Sequence, residues 1–348
     1  MRHAKTFTTA QALTFAFLAL LPNAVNAQTP NQAFSLVAGT SAFMLFGEAN
    51  EYVYNQNYSA DYMNSLLYWP LSALACAGAS LELSTKLGLF ADLSFAQAFS
   101  GKAGTMGDSD FLNGDGVKTH YSESDSYVER LSLLDLSLGW DFPVASGLTC
   151  GAFGAFSYAD LKLSARDGYS QYPADGSGYR WENGDYIKGT LDPWKASTTK
   201  VPIYGTAILY EQSRLAGSLG LRARWAISDA FSAGASFAIS PTVSTCTTAD
   251  NHELRTIDFT SDLSSILLFE PRAWLEFSPY PRIAMRLSGA YRFYALQKGN
   301  LSTIDQGITT VNSSGGYFAG PDSKWTGSGD SGAELRYFEA GLSLRLSL

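Results

Sequence analysis

The strongest constraint on how this chain can fold is a strict two-residue alternation that puts its charged residues on an unexpected face. In the last segment Phe338, Ala340, Leu342, Leu344, Leu346 and Leu348 fall on one side of an extended chain, and Tyr337, Glu339, Gly341, Ser343, Arg345 and Ser347 on the other. Leu134, Leu136, Leu138 and Trp140 alternate with Asp135, Ser137, Gly139 and Asp141 in the same way. Either segment alone would suit a water-soluble sandwich. Arg and Glu recurring opposite leucine ladders, segment after segment, would not. The pattern fits a sheet closed into a barrel, apolar outside against lipid and polar inside, with no strand edge left in hydrocarbon.

Composition agrees with that class. Charged residues make up 16% of the 348, against the ~25% of an ordinary soluble domain. Aromatics reach 14% and Gly numbers 32. With 32 acidic residues against 24 basic ones and no basic cluster, a nucleic-acid binder is excluded. Arg2, His3 and Lys5 precede the apolar run Ala12 to Leu21, and Val25-Asn26-Ala27 follows with small residues at the positions a signal peptidase reads. Residues 1–27 are therefore expected to be a signal peptide, leaving 28–348 as the barrel. Arg2 and Lys5 leave with it and no acid does, so the net charge goes from -8 to -10. The apolar run is far shorter than the ~20 residues of a spanning helix. Cys76, Cys150 and Cys246 are odd in number, so at least one thiol is unpaired within the chain, and all three read as small residues packed on strand faces.

Ten strand candidates follow from the alternation, at about 34–53, 66–84, 87–101, 124–142, 148–166, 200–226, 231–247, 253–279, 282–299 and 332–348. Short joints alternate with long ones, the long ones near 54–65, 102–123, 167–199 and 300–331, with a smaller one near 248–252. This predicts an all-β fold, a ten-stranded antiparallel transmembrane β-barrel, with short turns at the periplasmic end and long loops at the other. Several candidates exceed the ~9–11 residues that a bilayer requires, so the barrel should extend beyond the outer membrane on the long-loop side.

Two acidic groups fall at that end. Gly107-Asp108-Ser109-Asp110-Phe111 and Thr248-Ala249-Asp250-Asn251-His252 each place two functional side chains two residues apart, on one side of an extended chain. Only His120 and His252 remain after the signal, so any imidazole base is one of them. His120 has no carboxylate two residues away and reads as an exposed loop residue. His252 has Asp250 to orient one ring nitrogen, leaving the other for proton transfer.

On these residues the chain resembles the omptins, outer-membrane aspartyl-type endopeptidases of Gram-negative bacteria. The resemblance rests on Gly47-Glu48-Ala49-Asn50-Glu51-Tyr52-Val53-Tyr54, on Asp108-Ser109-Asp110 and on Asp250-Asn251-His252, in the family's order and on the matching strands. It implies hydrolysis by a water held between the Asp108/Asp110 pair and His252, with Asp250 stabilising the imidazolium and the Asp pair titrating as a unit. No covalent intermediate and no cofactor or metal is implied. Ser122 matches a family serine and reads as a structural hydroxyl. Glu51 would line the substrate pocket and hold a cationic residue before the scissile bond. The family's second pocket acid falls on Thr248, which predicts weakened or altered primary specificity. Tyr158, Asp160 and Lys162 match part of the family's lipopolysaccharide-binding cluster, whereas its sixth-strand arginine falls on Ser213, with Arg214 beside it on the opposite face. The partners implied are peptide or protein substrates and outer-membrane lipid, with lipopolysaccharide a candidate, and the barrel would act as a monomer with its active site facing the exterior. Two alternatives stand beside this reading. One is a non-proteolytic barrel serving as adhesin or receptor. The other is a metal-stabilised or transport barrel using Asp108, Asp110, Asp115, Glu123 and Asp125.

Overall fold

The computed structural model describes residues 33–54, 62–172, 179–182, 185–188, 191–253, 257–264, 267–305 and 326–348. The signal predicted over 1–27 lies outside them. In chain order the strands are β1 (Phe34–Tyr54), β2 (Met63–Thr85), β3 (Leu89–Ala98), β4 (Gly101–Asp110), β5 (His120–Ala145), β6 (Leu148–Gln171), β7 (Tyr179–Glu182) and β8 (Asp185–Lys188). There follow β9 (Val201–Ala226), β10 (Phe231–His252), β11 (Ile257–Ser264), β12 (Leu268–Tyr280), β13 (Ile283–Asp305) and β14 (Thr326–Ser347). All pairings are antiparallel, and β1 pairs with both β2 and β14, which closes the ring. β3 and β4 form one broken wall between β2 and β5, and β11 and β12 another between β10 and β13. Counting each broken wall once gives the ten strands expected. β7 and β8 are a small separate hairpin in the third long connection.

The alternation does what the sequence requires of it. Outward-facing Leu136, Leu138, Trp140, Leu219, Leu221, Met285, Leu287, Leu342 and Leu344 are exposed, forming an apolar band for lipid. The inward Arg and Glu residues pair across the lumen. Asp135 holds Arg272 at 3.0 Å and Arg292 at 2.9 Å, and Arg292 also meets Glu270 at 2.7 Å. Nearer the short turns, Glu276 bridges Arg286 and Arg345, and Arg222 joins Asp92 to Asp141. A lumen cavity of about 310 Å³ runs among Asp92, Asp135, Arg222, Glu270, Arg272 and Arg286. Ions buried this way are neutralised in pairs, which is why the inner face can carry them. All three cysteines are free, with Cys76 and Cys246 buried.

The short turns are tight. Gly88 has φ +85°, and a Cβ there would stand 2.1 Å from the Asp141 carbonyl, so only glycine fits. Among the aromatic residues of these strands, Trp140, Tyr280 and Tyr291 are exposed, but Tyr294 is buried. Tyr294 shares the inward face of β13 with Arg292, as the period of two dictates for a residue next to outward Phe293.

The strands run 21 to 26 residues in β1, β2, β5, β6, β9, β10, β13 and β14. That is about twice the bilayer requirement, and it moves the candidate site out of loops. Asp108 and Asp110 end β4, and Asp250 and His252 end β10, where loops were expected. Beyond lipid, polar residues are tolerated on both faces, so the alternation fades from the sequence while the hydrogen-bonded ladder continues.

Candidate active site

On one wall of the barrel mouth, register sets out two rows of inward side chains. Glu51 of β1 lies opposite Leu67 of β2, Leu67 opposite Asp108 of β4, and Asp108 opposite Ser122 of β5. One rung further out, Ser65 lies opposite Asp110, and Asp110 opposite His120. Directly opposed residues keep their Cβ atoms about 5 Å apart, so each row is a contact surface. Ser65 donates its hydroxyl hydrogen to Asp108 Oδ1 at 3.2 Å. Asp108, Ser65 and Ser122 are buried, and Asp110 is half-buried.

The other wall is built by β9, β10 and β11. Asp250 lies opposite Tyr210 and Phe259, and Thr248 opposite Gln212 and Ser261. His252 Nε2 and Asp250 Oδ2 are 2.8 Å apart, and both side chains are buried. The His252 ring meets Phe259 edge to face with centroids 5.2 Å apart, which fixes its tilt. Nε2 is therefore the ring nitrogen that faces the Asp250 carboxylate.

Glu51 ties the walls together. Its carboxyl is 1% exposed, and neither oxygen has a hydrogen-bond partner among the described residues. Burial holds its pKa well above the usual carboxylate range, with Asp250 and Asp108 pushing it the same way. Both acidic groups act on one carboxyl, and β4 and β10, separated around the ring by β5, β6 and β9, set them on facing walls of the mouth. The outward apolar side chains of β1 stop at Phe46, so Glu51 stands beyond the lipid band.

His120 differs from the exposed loop residue expected. It opens β5 on the inward face, half-buried, with its Nδ1 3.1 Å from Thr119 Oγ1 and its ring 4.6 Å from that of Tyr172. Burial lowers its pKa and Asp110 opposes the shift. The carboxylate that faces His120 is not two residues away on its own strand but across the β4–β5 pair, at Asp110.

Tyr210, Gln212 and Arg214, chained along the inner face of β9, were missed as site residues. Gln212 Nε2 donates to the Tyr210 hydroxyl at 2.9 Å, and Arg214 Nε donates to Gln212 Oε1 at 3.0 Å. Their period-two spacing was a visible signal, since it puts all three on the inward face of β9. Ser65 carried no such signal. The return of the third long connection packs on the segment between β4 and β5: Asn113 brackets Leu191 with two 2.8 Å bonds, and Lys118 sits 4.0 Å from the Trp194 ring and 4.4 Å from that of Tyr121.

Tyr158, Asp160 and Lys162 lie on the outer face of β6, alternating with buried Ser157, Ala159 and Leu161. Arg130 pairs with Asp160, and Lys162 with Glu211. Ser213 donates to Asp160 at 3.2 Å, while Arg214 points into the barrel. Two cations are thus matched by two carboxylates. No group of three or more potential metal ligands occurs among the described residues.

A profile of the omptin family matches residues 32–324. The chain belongs to the omptin family. Among solved structures, the outer-membrane protease OmpT of Escherichia coli superposes with a TM-score of 0.75 at 16% identity, covering 92% of this chain and 100% of that one. The translocator domain of the autotransporter NalP from Neisseria meningitidis (TM-score 0.33, 7% identity, 97% of this chain and 95% of that one) and the Pseudomonas putida toluene transporter TodX (0.27, 9%, 92% and 91%) are too distant in shape to inform the site. No curated protein matches by sequence. This omptin is a homologue of outer-membrane proteases with the corresponding β-barrel.

Proposed function

We propose that this omptin is an endopeptidase in which a water between the Asp108/Asp110 pair and His252 attacks the peptide carbonyl at the outward mouth of the barrel. The observation that carries this reading is the buried 2.8 Å contact between His252 Nε2 and Asp250 Oδ2, facing the Asp pair across one cleft. His252 takes a proton from water as its oxygen bonds to the carbonyl carbon, and the Asp250 carboxylate stabilises the imidazolium that forms. The proton then passes to the departing amine as the C–N bond breaks. Asp108 and Asp110 orient the water and are themselves held by Ser65 and by the β4–β5 ladder. Ser122, buried beside Asp108, packs the pair and does not attack. Catalysis of this kind is aspartic-type in that carboxylates manage the water, with an imidazole as base.

The carboxylates of the mouth favour substrates that carry cationic residues, and Glu51 lines the pocket before the scissile bond. Thr248 offers a hydroxyl where a second acid would sharpen that choice, so selectivity for Arg or Lys is reduced. The site stands at the end of the barrel that carries the long connections, which supports a position on the cell exterior. The outer-face group of Tyr158, Asp160 and Lys162 meets outer-membrane lipid. Its cations are already paired, so any lipopolysaccharide dependence is weak.

The test is cleavage of a fluorogenic peptide by refolded protein, with and without lipopolysaccharide, beside Asp108→Ala and His252→Ala. Cleavage lost in both variants supports the reading. Absence of cleavage by the unaltered protein favours the adhesin or receptor role instead.

A further inference from the structure

Between the proposed hydrolytic residues and the ion-paired lumen lies a layer of buried polar groups that the chemistry above does not use. Arg214 is its centre. The residue is 1% exposed, its Nε is spent on Gln212, and its Nη1 and Nη2 are buried with no hydrogen-bond partner among the described residues. Its guanidinium lies 5.0 Å from the centre of the Tyr294 ring, and Tyr210, next up the chain of bonds, stacks on Trp69 with centroids 5.5 Å apart. These contacts fix the plane of the guanidinium, so its two remaining nitrogens offer donors in a set direction. A buried charged donor left unmet is costly, and where one persists in a native fold it calls for a functional or structural partner.

The complementary acceptor is on the facing wall. Both oxygens of Glu51 are buried without a partner among the described residues, as are Thr248 Oγ1 and Ser261 Oγ. Thr248 stands directly opposite Gln212, and Cys246 opposite Arg214. Burial raises the pKa of Tyr210, and Glu51, Cys246, Arg214 and Asp250 all lie within electrostatic reach of its phenol. Glu51 and Arg214 thus flank one tyrosine, yet neither satisfies the other.

We infer that Glu51 and Arg214 form a specificity subsite beneath the hydrolytic residues for an uncharged side chain that both donates and accepts hydrogen bonds, the carboxamide of glutamine or asparagine being the best match. A lysine or arginine side chain would satisfy Glu51 but set a second cation beside a guanidinium that cannot lose its proton. A carboxylate would satisfy Arg214 but face Glu51, Asp250 and Asp108. A carboxamide gives its N–H to Glu51 and its C=O to Arg214, while the Thr248 hydroxyl serves either end. The acid excess of the mouth then draws the peptide as a whole, and this subsite selects one residue of it. The assignment rests on the proteolytic reading only for its place next to the scissile bond.

Matched peptides that differ in one residue (Gln, Lys, Glu or Leu) test it on the refolded full barrel. Turnover is measured on the unaltered protein, and binding on His252→Ala, which needs no turnover. The unaltered protein should favour Gln over Lys. Arg214→Met should lower kcat/KM and binding for the Gln peptide by about tenfold or more, the scale of one unmet buried hydrogen bond, and improve the Lys peptide. Glu51→Gln, which keeps the shape of the pocket should the Arg214 variant not fold, should instead lower the Lys peptide far more than the Gln peptide. A preference for Lys or Arg in the unaltered protein, unmoved in the variants, overturns the inference. If nothing is cleaved but binding retains the Arg214-dependent choice of Gln, the subsite stands and the hydrolytic reading falls. If binding shows no such choice either, both fall.

Discussion

Replacing Asp250 by Asn removes a charge from the wall that holds His252 and changes little else, because the side chain keeps its size. Asp250 Oδ2 lies 2.8 Å from His252 Nε2 and both side chains are under a tenth exposed, so water screens the pair weakly. Two unit charges about 4 Å apart attract by about 4 kcal/mol at an effective dielectric of about 20. The amide can still accept one hydrogen bond, worth about 1 kcal/mol. The remaining ~3 kcal/mol is support for an imidazolium that exists only once His252 has taken the proton, so it falls on the transition state. At 1.36 kcal/mol per decade this is a loss of roughly 100- to 200-fold in kcat. A second effect has the opposite sign. Asp250 is, after burial, one of the groups that raise the pKa of the Glu51 carboxyl. Without that charge Glu51 ionises more readily, and the KM for a Lys-containing peptide should fall. Steady-state kinetics with a fluorogenic peptide separate the two parameters. An Asn variant that keeps kcat within about threefold of the unaltered protein would falsify the role given to the Asp250–His252 couple.

Three further outcomes follow from the same geometry. The raised Glu51 pKa favours the protonated folded form, so its contribution to stability is complete below the ordinary glutamate range and is lost as pH rises through the raised value. Glu51→Gln should therefore match the unaltered protein in acid and exceed it at alkaline pH, and denaturant midpoints that move in parallel across the range would contradict this. Thr248→Asp adds a carboxylate to the Glu51 wall and should raise kcat/KM for Lys and Arg peptides by about tenfold, the value of one charge-assisted hydrogen bond; peptide-library profiling reads it, and an unchanged profile removes Thr248 from the pocket. Glu211→Gln releases Lys162 from its carboxylate partner and should strengthen binding to vesicles that carry phosphate-bearing lipid. Equal vesicle binding by the two proteins would show that the outer cluster does not meet headgroups.

Much of the fold was legible in the chain because a membrane barrel writes its constraint locally. Leu342, Leu344, Glu339 and Arg345 declare their faces by parity alone, and the short turns are marked by residues such as Gly88 and Gly147. The break at Phe99-Ser100 and the division into β11, ending at Ser264, and β12, starting at Leu268, were not visible, since an interrupted ladder leaves the alternation on either side intact. Nearly all of β4, and the upper ends of β5 and β10, were taken for loops for the same reason in reverse. Outside lipid nothing forces an apolar face, so strands there lose their signature and keep their hydrogen bonds.

The candidate site divides along the same line. Asp108 with Asp110, and Asp250 with His252, are pairs within one strand, and a spacing of two residues is enough to put them on one face. Tertiary structure alone decided everything that depends on a neighbour in another strand: Ser65 on Asp108, His120 opposite Asp110, Glu51 between the two acidic walls, and the unmet guanidinium of Arg214 below them. The physical reason is that parity tells which way a side chain points, whereas register and closure of the ring decide what it meets there. Sequence by itself determined a barrel with a polar interior and two acidic motifs at its mouth. Only the closed ring made those motifs two sides of one cleft.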